Sequence, residues 1–205
     1  MIAPPERSAE RDAAIEAVLP HVPFDGWTSR AMRRALDSIG MAPDDAPLLF
    51  PGGAADMVEA FCDWADRRME KAAAAQDWSA LRLPQRVRAL IALRLEQNRP
   101  HKEAVRRALS LLALPRNARL AAACTARTVD AIWHAAGDES ADFSWYTKRA
   151  ILIGIYAAIV LYWLRDDSLD DAATLAFLDR RLAGVRQIGQ ARQRAGQVLG
   201  RLRPA

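Results

Sequence analysis

Residues 11–61 read RDAAIEAVLPHVPFDGWTSRAMRRALDSIGMAPDDAPLLFPGGAADMVEAF. Apolar residues recur here at helical spacing, and turn residues interrupt them at short intervals. A first helix runs from Ser8 to about Leu19. Phe24, Asp25, Gly26 and Trp27 make a turn, and Thr28 supplies an N-cap for SRAMRRALDSIG. Its buried stripe is Ala31, Met32, Ala35, Leu36 and Ile39, and Gly40 stops it. A short segment from Pro43 to Phe50 leads into Pro51-Gly52-Gly53 and a long helix over about Ala54 to Ala75. On or beside one face that helix carries Met57, Val58, Phe61, Trp64, Ala65 and Arg68. No run of alternating β-branched residues appears anywhere, so the chain reads as all-α.

The same periodicity continues. Leu83–Gln97 carries Leu83, Val87, Leu90 and Ile91, and Lys102–Leu114 carries Val105, Leu109 and Leu112. Pro115 opens a helix that reaches Ala136, with Leu120, Cys124 and Thr128 on one stripe and Val129, Trp133 and Ala136 on another. Further helices span about Trp145–Leu164 and Asp170–Val185. Ile151–Leu164 is fourteen residues without a charge, too short to cross a bilayer. A helix apolar all round must be covered on every side, which points to a homodimer interface or an interior lined for an apolar ligand.

The chain has 205 residues with 29 basic and 25 acidic side chains. Seven arginines follow Asp179, the last acid, so the rest holds 22 basic against 25 acidic residues and the basic excess is all in the tail. In that tail Ile188, Ala191, Ala195, Leu199 and Leu202 form an apolar stripe with arginines such as Arg192 on the other faces. This is the pattern of a helix drawn to anionic lipid, and Ile188, Arg192, Leu199 and Leu202 are the candidate membrane contacts. Glycines dilute it, so binding to a membrane surface should be weak, and a frayed basic tail is the alternative. Cys62 and Cys124 are far apart in sequence and read as small buried hydrophobes. The start, MIAPPERSAERD, has no apolar signal core. With the Ala- and Arg-rich composition this suggests a bacterial cytoplasmic protein without a cleaved leader.

The histidines His21, His101 and His134 have no ligand spacing, so no metal site is expected. Nor is there a GxGxxG, a P-loop or a GxSxG, and no catalytic residue or cofactor is assigned. His134 near Asp138 has the types of an acid–base pair, with a structural histidine as the plainer reading.

The N-terminal third resembles the three-helix DNA-binding unit of TetR-type regulators, in the turn after helix one, the threonine cap, the Gly40 break and the Phe-Pro-Gly before a long helix. The resemblance implies a helix-turn-helix over residues 1–53. Its third helix would be MAPDDAPLLF, which has Asp44 and Asp45 and no lysine or arginine. Carboxylates repel phosphates and two prolines oppose a regular helix, so the unit reads as degenerate and nucleic acid as no partner. Arg30, Arg33 and Arg34 are the remaining basic cluster and read as a solvated face.

The segment VDAIWHAAGDESADFSWYTKRAILIGIY, residues 129–156, has a different peculiarity. A helix stopped by Gly137 is followed by a loop with Asp138, Glu139 and Asp142, then by Phe143, Trp145 and Tyr146. Large aromatics beside an exposed loop need a reason. This block closely resembles the lipid-binding accessory proteins of ubiquinone biosynthesis, and the likeness extends over nearly the whole chain. The resemblance implies a dimeric TetR-like fold without DNA binding, a bound isoprenoid quinone or phospholipid, and no catalysis. It further implies presentation of a polyprenyl quinone intermediate to the di-iron demethoxyubiquinone hydroxylase, from the inner-membrane surface. Carried over by position, the docking patch is Asp142, Trp145 and Tyr146 with Ile132, which stands where the family has methionine. Candidate lipid-pocket walls, read from apolar stripes, are Leu90, Leu109, Leu112, Val129 and Trp133, where ordinary core is the alternative.

Three parts follow: a degenerate helix-turn-helix over 1–53, a helical lipid-binding and dimerisation domain over 54–186, and a basic amphipathic tail over 187–205. A ligand-responsive TetR-type regulator is the competing reading of the whole.

Overall fold

A computed structural model describes residues 4–138 and 143–184 of the protein. Helix α1, Ala9–Val18, starts at Ser8, whose hydroxyl accepts from the Arg11 amide. Helix α2, Val22–Asp25, is a single turn closed by Gly26 at φ +70°. Phe24 and Asp25 thus sit in a helical turn rather than a plain reverse turn, because Pro23 suits a helix start. Thr28 caps α3, Ser29–Ser38, by accepting from the Ala31 amide at 3.2 Å. Gly40, at φ +74°, ends it, and the Met41 amide bonds back to Leu36 O. A 3₁₀ turn, Pro43–Asp45, and the four-residue α4, Ala46–Leu49, lead into α5, Gly53–Ala74. Then come α6, Leu83–Asn98, and α7, Lys102–Leu112. A 3₁₀ turn at Pro115–Asn117 precedes α8, Ala118–Ala135, so the proline opens the turn and not the α-helix itself. Helix α9 is Phe143–Trp163, and α10 covers 172–184. All regular elements among the described residues are helical.

The helices divide into two compact units, one ending at Ile153 and one beginning at Gly154. No break occurs at 53/54. Ile15, Val18, Met32, Leu36 and Phe50 share one buried cluster with Met57, Phe61 and Trp64 of α5 and with Ala104, Ala108 and Leu112 of α7. Trp27 packs on Phe61 with ring centroids 5.2 Å apart and donates its indole N–H to Ala104 O at 3.1 Å. Arg107 donates to Pro23 O at 2.7 Å. The N-terminal helices are therefore fused to the long helices.

Arg11 completes this fusion. Its guanidinium is buried, lies 4.6 Å from the Phe50 ring centre, donates to Leu49 O and pairs with Asp56 at 2.5 Å. Asp66 does the same for the next layer. It is buried on α5, pairs with Arg94 of α6 at 2.8 Å and accepts from the Thr128 hydroxyl of α8 at 3.0 Å. Burial pushes the Asp66 carboxyl up to about 6, against the opposing pull of Arg94 and Thr128.

In the second unit, Asp166 accepts from the Ser168 and Thr174 amides and the Thr174 hydroxyl, closing the turn between α9 and α10. Tyr162 stacks on Phe177 with centroids 4.5 Å apart. Helix α9 has two apolar faces. Leu152, Ile155, Ile159 and Trp163 are buried, whereas Ile151, Ile153, Leu161 and Tyr162 are exposed.

Two stability measurements test these joints. Arg11→Ala should lower unfolding free energy by about 3–5 kcal/mol in urea titrations, because Asp56 loses its buried partner. Asp66 has a folded value near 6 against 3.8 for a free carboxyl, so the folded chain holds the extra proton between them. Its stabilising contribution is complete below about pH 4 and lost as pH rises through about 6. The stability of the native chain relative to Asp66→Asn should therefore fall by roughly 2–3 kcal/mol from about pH 4 to pH 7. Parallel pH profiles for the two proteins would contradict this.

Candidate functional site: a polar cleft and the helix corner beside it

Helix α8 ends in a tight reversal. The Gly137 amide bonds to His134 O, Gly137 sits at φ +79°, and the Asp138 amide reaches back to Trp133 O at 3.1 Å. This six-to-one bond is what a glycine C-cap permits. The Asp138 carboxylate, nearly enclosed, then takes the Lys148 ammonium at 2.9 Å. Eight residues earlier, on α8, Asp130 pairs with the Arg149 guanidinium, whose second arm lies 4.0 Å from Asp138. Lys148 also lies over the Trp133 ring, 5.7 Å from its centre. The last turns of α8 and the first turns of α9 are thus held together by partly buried ion pairs. Sequence reading assigned no role to Asp130, Lys148 or Arg149. The available signal was the set of opposite charges bracketing the loop.

On this corner Tyr146 is 69% exposed. Asp142 lies outside the described residues, as does the Trp145 side chain, although its backbone is part of α9. Ile132 does not join an exposed patch: it is fully buried. The reason is its register. It follows Val129 by three residues and precedes Ala136 by four, and both are buried on the inward stripe of α8. The candidate tail residues Ile188, Arg192, Leu199 and Leu202 also lie outside the described residues.

The five expected pocket walls do not come together as one surface. Leu112 belongs to the cluster shared by α1, α3, α5 and α7, and Leu109 packs against it. Leu90 and Val129 are fully buried outside that cluster. Trp133 is half-buried, and its indole N–H is enclosed without an acceptor among the described residues.

Beside the corner is a cleft of about 520 Å³ lined by polar rather than apolar side chains. Helix α5 contributes Asp63, Asp66, Arg67 and Glu70, and α8 contributes Arg127, Asp130 and His134. Arg7 and Arg149 also line it. Arg7 makes a two-pronged contact with Asp63 at 3.0 and 2.7 Å, and Arg67 bridges Asp63 and Asp12. Burial raises the Glu70 carboxyl, with the nearby His134 as the largest opposing influence. His134 therefore faces Glu70, while the Asp138 carboxylate is engaged by Lys148. The lining balances four arginines against four carboxylates, so it favours a neutral polar group that both donates and accepts over a simple ion. No group of three or more metal-ligating side chains occurs among the described residues, and no described helix is long and apolar enough to cross a membrane.

Residues 118–189, which hold α8, the corner and α9, match the COQ9 family model. The fold is that of a TetR transcriptional regulator from Nitrosomonas europaea ATCC 19718. The TM-score is 0.69 at 23% identity, covering 86% of this chain and 97% of the regulator. The chain is 32% identical over 182 residues to the rat ubiquinone biosynthesis protein COQ9, mitochondrial, covering 85% of this chain and 58% of the rat protein. It thus spans little more than half the length of that relative. With the Schizosaccharomyces pombe protein of the same name it shares 30% identity over 188 residues, which make up 90% of this chain and 73% of the yeast protein. Together with the all-helical TetR-like frame, this likeness establishes that the chain belongs to the COQ9 family of ubiquinone biosynthesis proteins.

Proposed function

We propose that this chain is a non-catalytic accessory protein of ubiquinone synthesis that binds an isoprenoid lipid and presents a polyprenyl quinone intermediate to the di-iron demethoxyubiquinone hydroxylase. The observation that carries the reading is an exposed aromatic, Tyr146, on a corner held rigid by the Asp138–Lys148 and Asp130–Arg149 pairs. Aromatic anchors dominate protein interfaces, and a preorganised patch loses little entropy on docking. Trp145 and Asp142 complete the proposed patch, and Ile132 supports it from beneath. Leu90, Val129 and Trp133, on α6 and α8, remain the proposed contacts for the lipid chain, with phospholipid as the other occupant. No cofactor beyond that lipid is proposed.

The chain acts as a homodimer in this proposal. Ile151, Ile153 and Leu161 expose apolar surface on α9, and Gly154 and Ala157 between them allow close approach of a second copy. The arginine-rich tail adds a weak attraction to anionic lipid, which would hold the protein at the cytoplasmic face of a bacterial inner membrane. DNA is not a partner in this reading. At the recognition position α4 has four residues, Asp44 is exposed, and Arg30 and Arg34 both pair with Asp25. Mass spectrometry of organic extracts from the purified protein would identify the lipid.

Tyr146→Ala should leave the melting temperature nearly unchanged and weaken binding to the hydroxylase by about 2 kcal/mol, roughly thirtyfold. Trp145→Ala should behave the same way. A stability loss of about 3–5 kcal/mol with normal residual binding would place Trp145 in the core and remove it from the patch. Sedimentation equilibrium at micromolar concentration should give a dimer, and Leu161→Glu should shift it to monomer. A native monomer would refute the proposed assembly.

A further inference from the structure

Sequence reading treats Cys62 and Cys124 as separate inert core residues, yet the structure sets them face to face. Helices α5 and α8 run in the same direction along this contact, since Asp66 meets Thr128 and, further along both helices, Glu70 faces His134. Cys62 and Cys124 lie one helical turn before Asp66 and Thr128 respectively, and so occupy the same register. Aspartate and threonine are short, and their 3.0 Å hydrogen bond shows that the two backbones approach closely here. The two thiols are near enough for each to shift the other's titration, Cys62 upward and Cys124 downward. Arg127 Nη2 lies 3.5 Å from Cys124 Sγ and is fixed by Glu59 at 2.7 Å. Cys124 is buried and Cys62 is half-buried.

We propose that Cys62 and Cys124 are an oxidative modification site, closing to a reversible disulfide that staples α5 to α8. The neighbouring Cys62 side chain lowers the Cys124 thiol, and Arg127 favours its thiolate further, while burial opposes both. The Cys124 thiolate attacks the distal oxygen of a hydroperoxide, forming a sulfenic acid and releasing the alcohol or water after protonation. The Cys62 sulfur then attacks the Cys124 sulfur and its proton leaves with the hydroxyl as water. Two thiols are oxidised by two electrons, and one peroxide bond is reduced. A thiol reductant reverses the step. These are the chain's two cysteines, so every other disulfide product must link two molecules. The staple would sit beneath the polar cleft, whose walls are the same two helices. This inference stands independently of the proposed lipid and partner.

The test treats the purified full chain with hydrogen peroxide, then digests it without reductant for mass spectrometry. The expected product is a monomer lighter by two hydrogens, with a peptide joining Cys62 to Cys124 that dithiothreitol separates. Its melting temperature should rise by about 5 °C or more, because the bridge closes a long loop. Cys62→Ser and Cys124→Ser should each abolish that rise. Sulfinic acid without a cross-link, a disulfide between copies, or thiols that react only in urea would each overturn the proposal. The mass readout on the native chain decides the matter even if a serine variant fails to fold.

Discussion

A carboxylate held inside helix packing sets the terms for the rest of this molecule. Asp66 is enclosed where α5, α6 and α8 meet, and it survives there because Arg94 and Thr128 reach it from the two other helices. A buried charge without partners is far costlier than a paired one, so the three helices must keep one relative register. That register aligns Cys62 with Cys124, builds the polar cleft further along, and directs the C-terminal end of α8 toward the corner. A small apolar pair would have packed as tightly, but it would have tolerated sliding. The ion pair excludes that freedom.

The N-terminal third keeps a TetR-like frame of packed helices around a short connecting segment with two aspartates. The buried residues of α1 and α3 are those any three-helix unit needs, and they are now welded to α5 and α7 through Arg11, Trp27 and Arg107. Between α3 and α5 the chain makes only a 3₁₀ turn and one helical turn. Packing preserves the frame because its core is shared with the long helices. Nothing in that packing depends on the charge of Asp44, which points to solvent.

Much of this was legible in the sequence where a local signal existed. Thr28, Gly40 and Gly137 mark helix ends, and the apolar period places Ala31, Met32, Ala35 and Leu36 in the core, because caps and amphipathicity act within a few residues. Ile39, expected on the same stripe, is 43% exposed because it lies past the last turn of α3. The likeness to the quinone-pathway family was carried by a dense block at the α8–α9 corner, and the family model matches there too. What failed depended on distance. Ile132 was placed on the surface by analogy, although its spacing from Val129 and Ala136 argued for burial. The supposed pocket walls combined residues from two different packing environments, which periodicity cannot distinguish. The facing thiols were invisible, since they follow from no short-range pattern, and the opposite charges bracketing the loop did not by themselves say which of them pair.

In the proposed docking role, the corner gives its aromatic residue an advantage. An exposed tyrosine on a mobile loop would lose side-chain and backbone freedom on docking, and that cost would consume much of the contact energy. Here the backbone of Tyr146 belongs to a helix, and Lys148 and Arg149, two and three residues on, are tied to Asp138 and Asp130. Side-chain ion pairs that add little to folding stability at a surface can still fix the angle at which α9 leaves α8. Because they are partly buried, salt screens them less than it would a fully exposed pair. A rigid aromatic held by charge has a further consequence. Reversing one member, as in Asp138→Lys, would loosen the corner by repulsion from Lys148 without touching Tyr146. If rigidity matters to docking, that change weakens partner binding while Tyr146 remains exposed and the hydrophobic core remains intact.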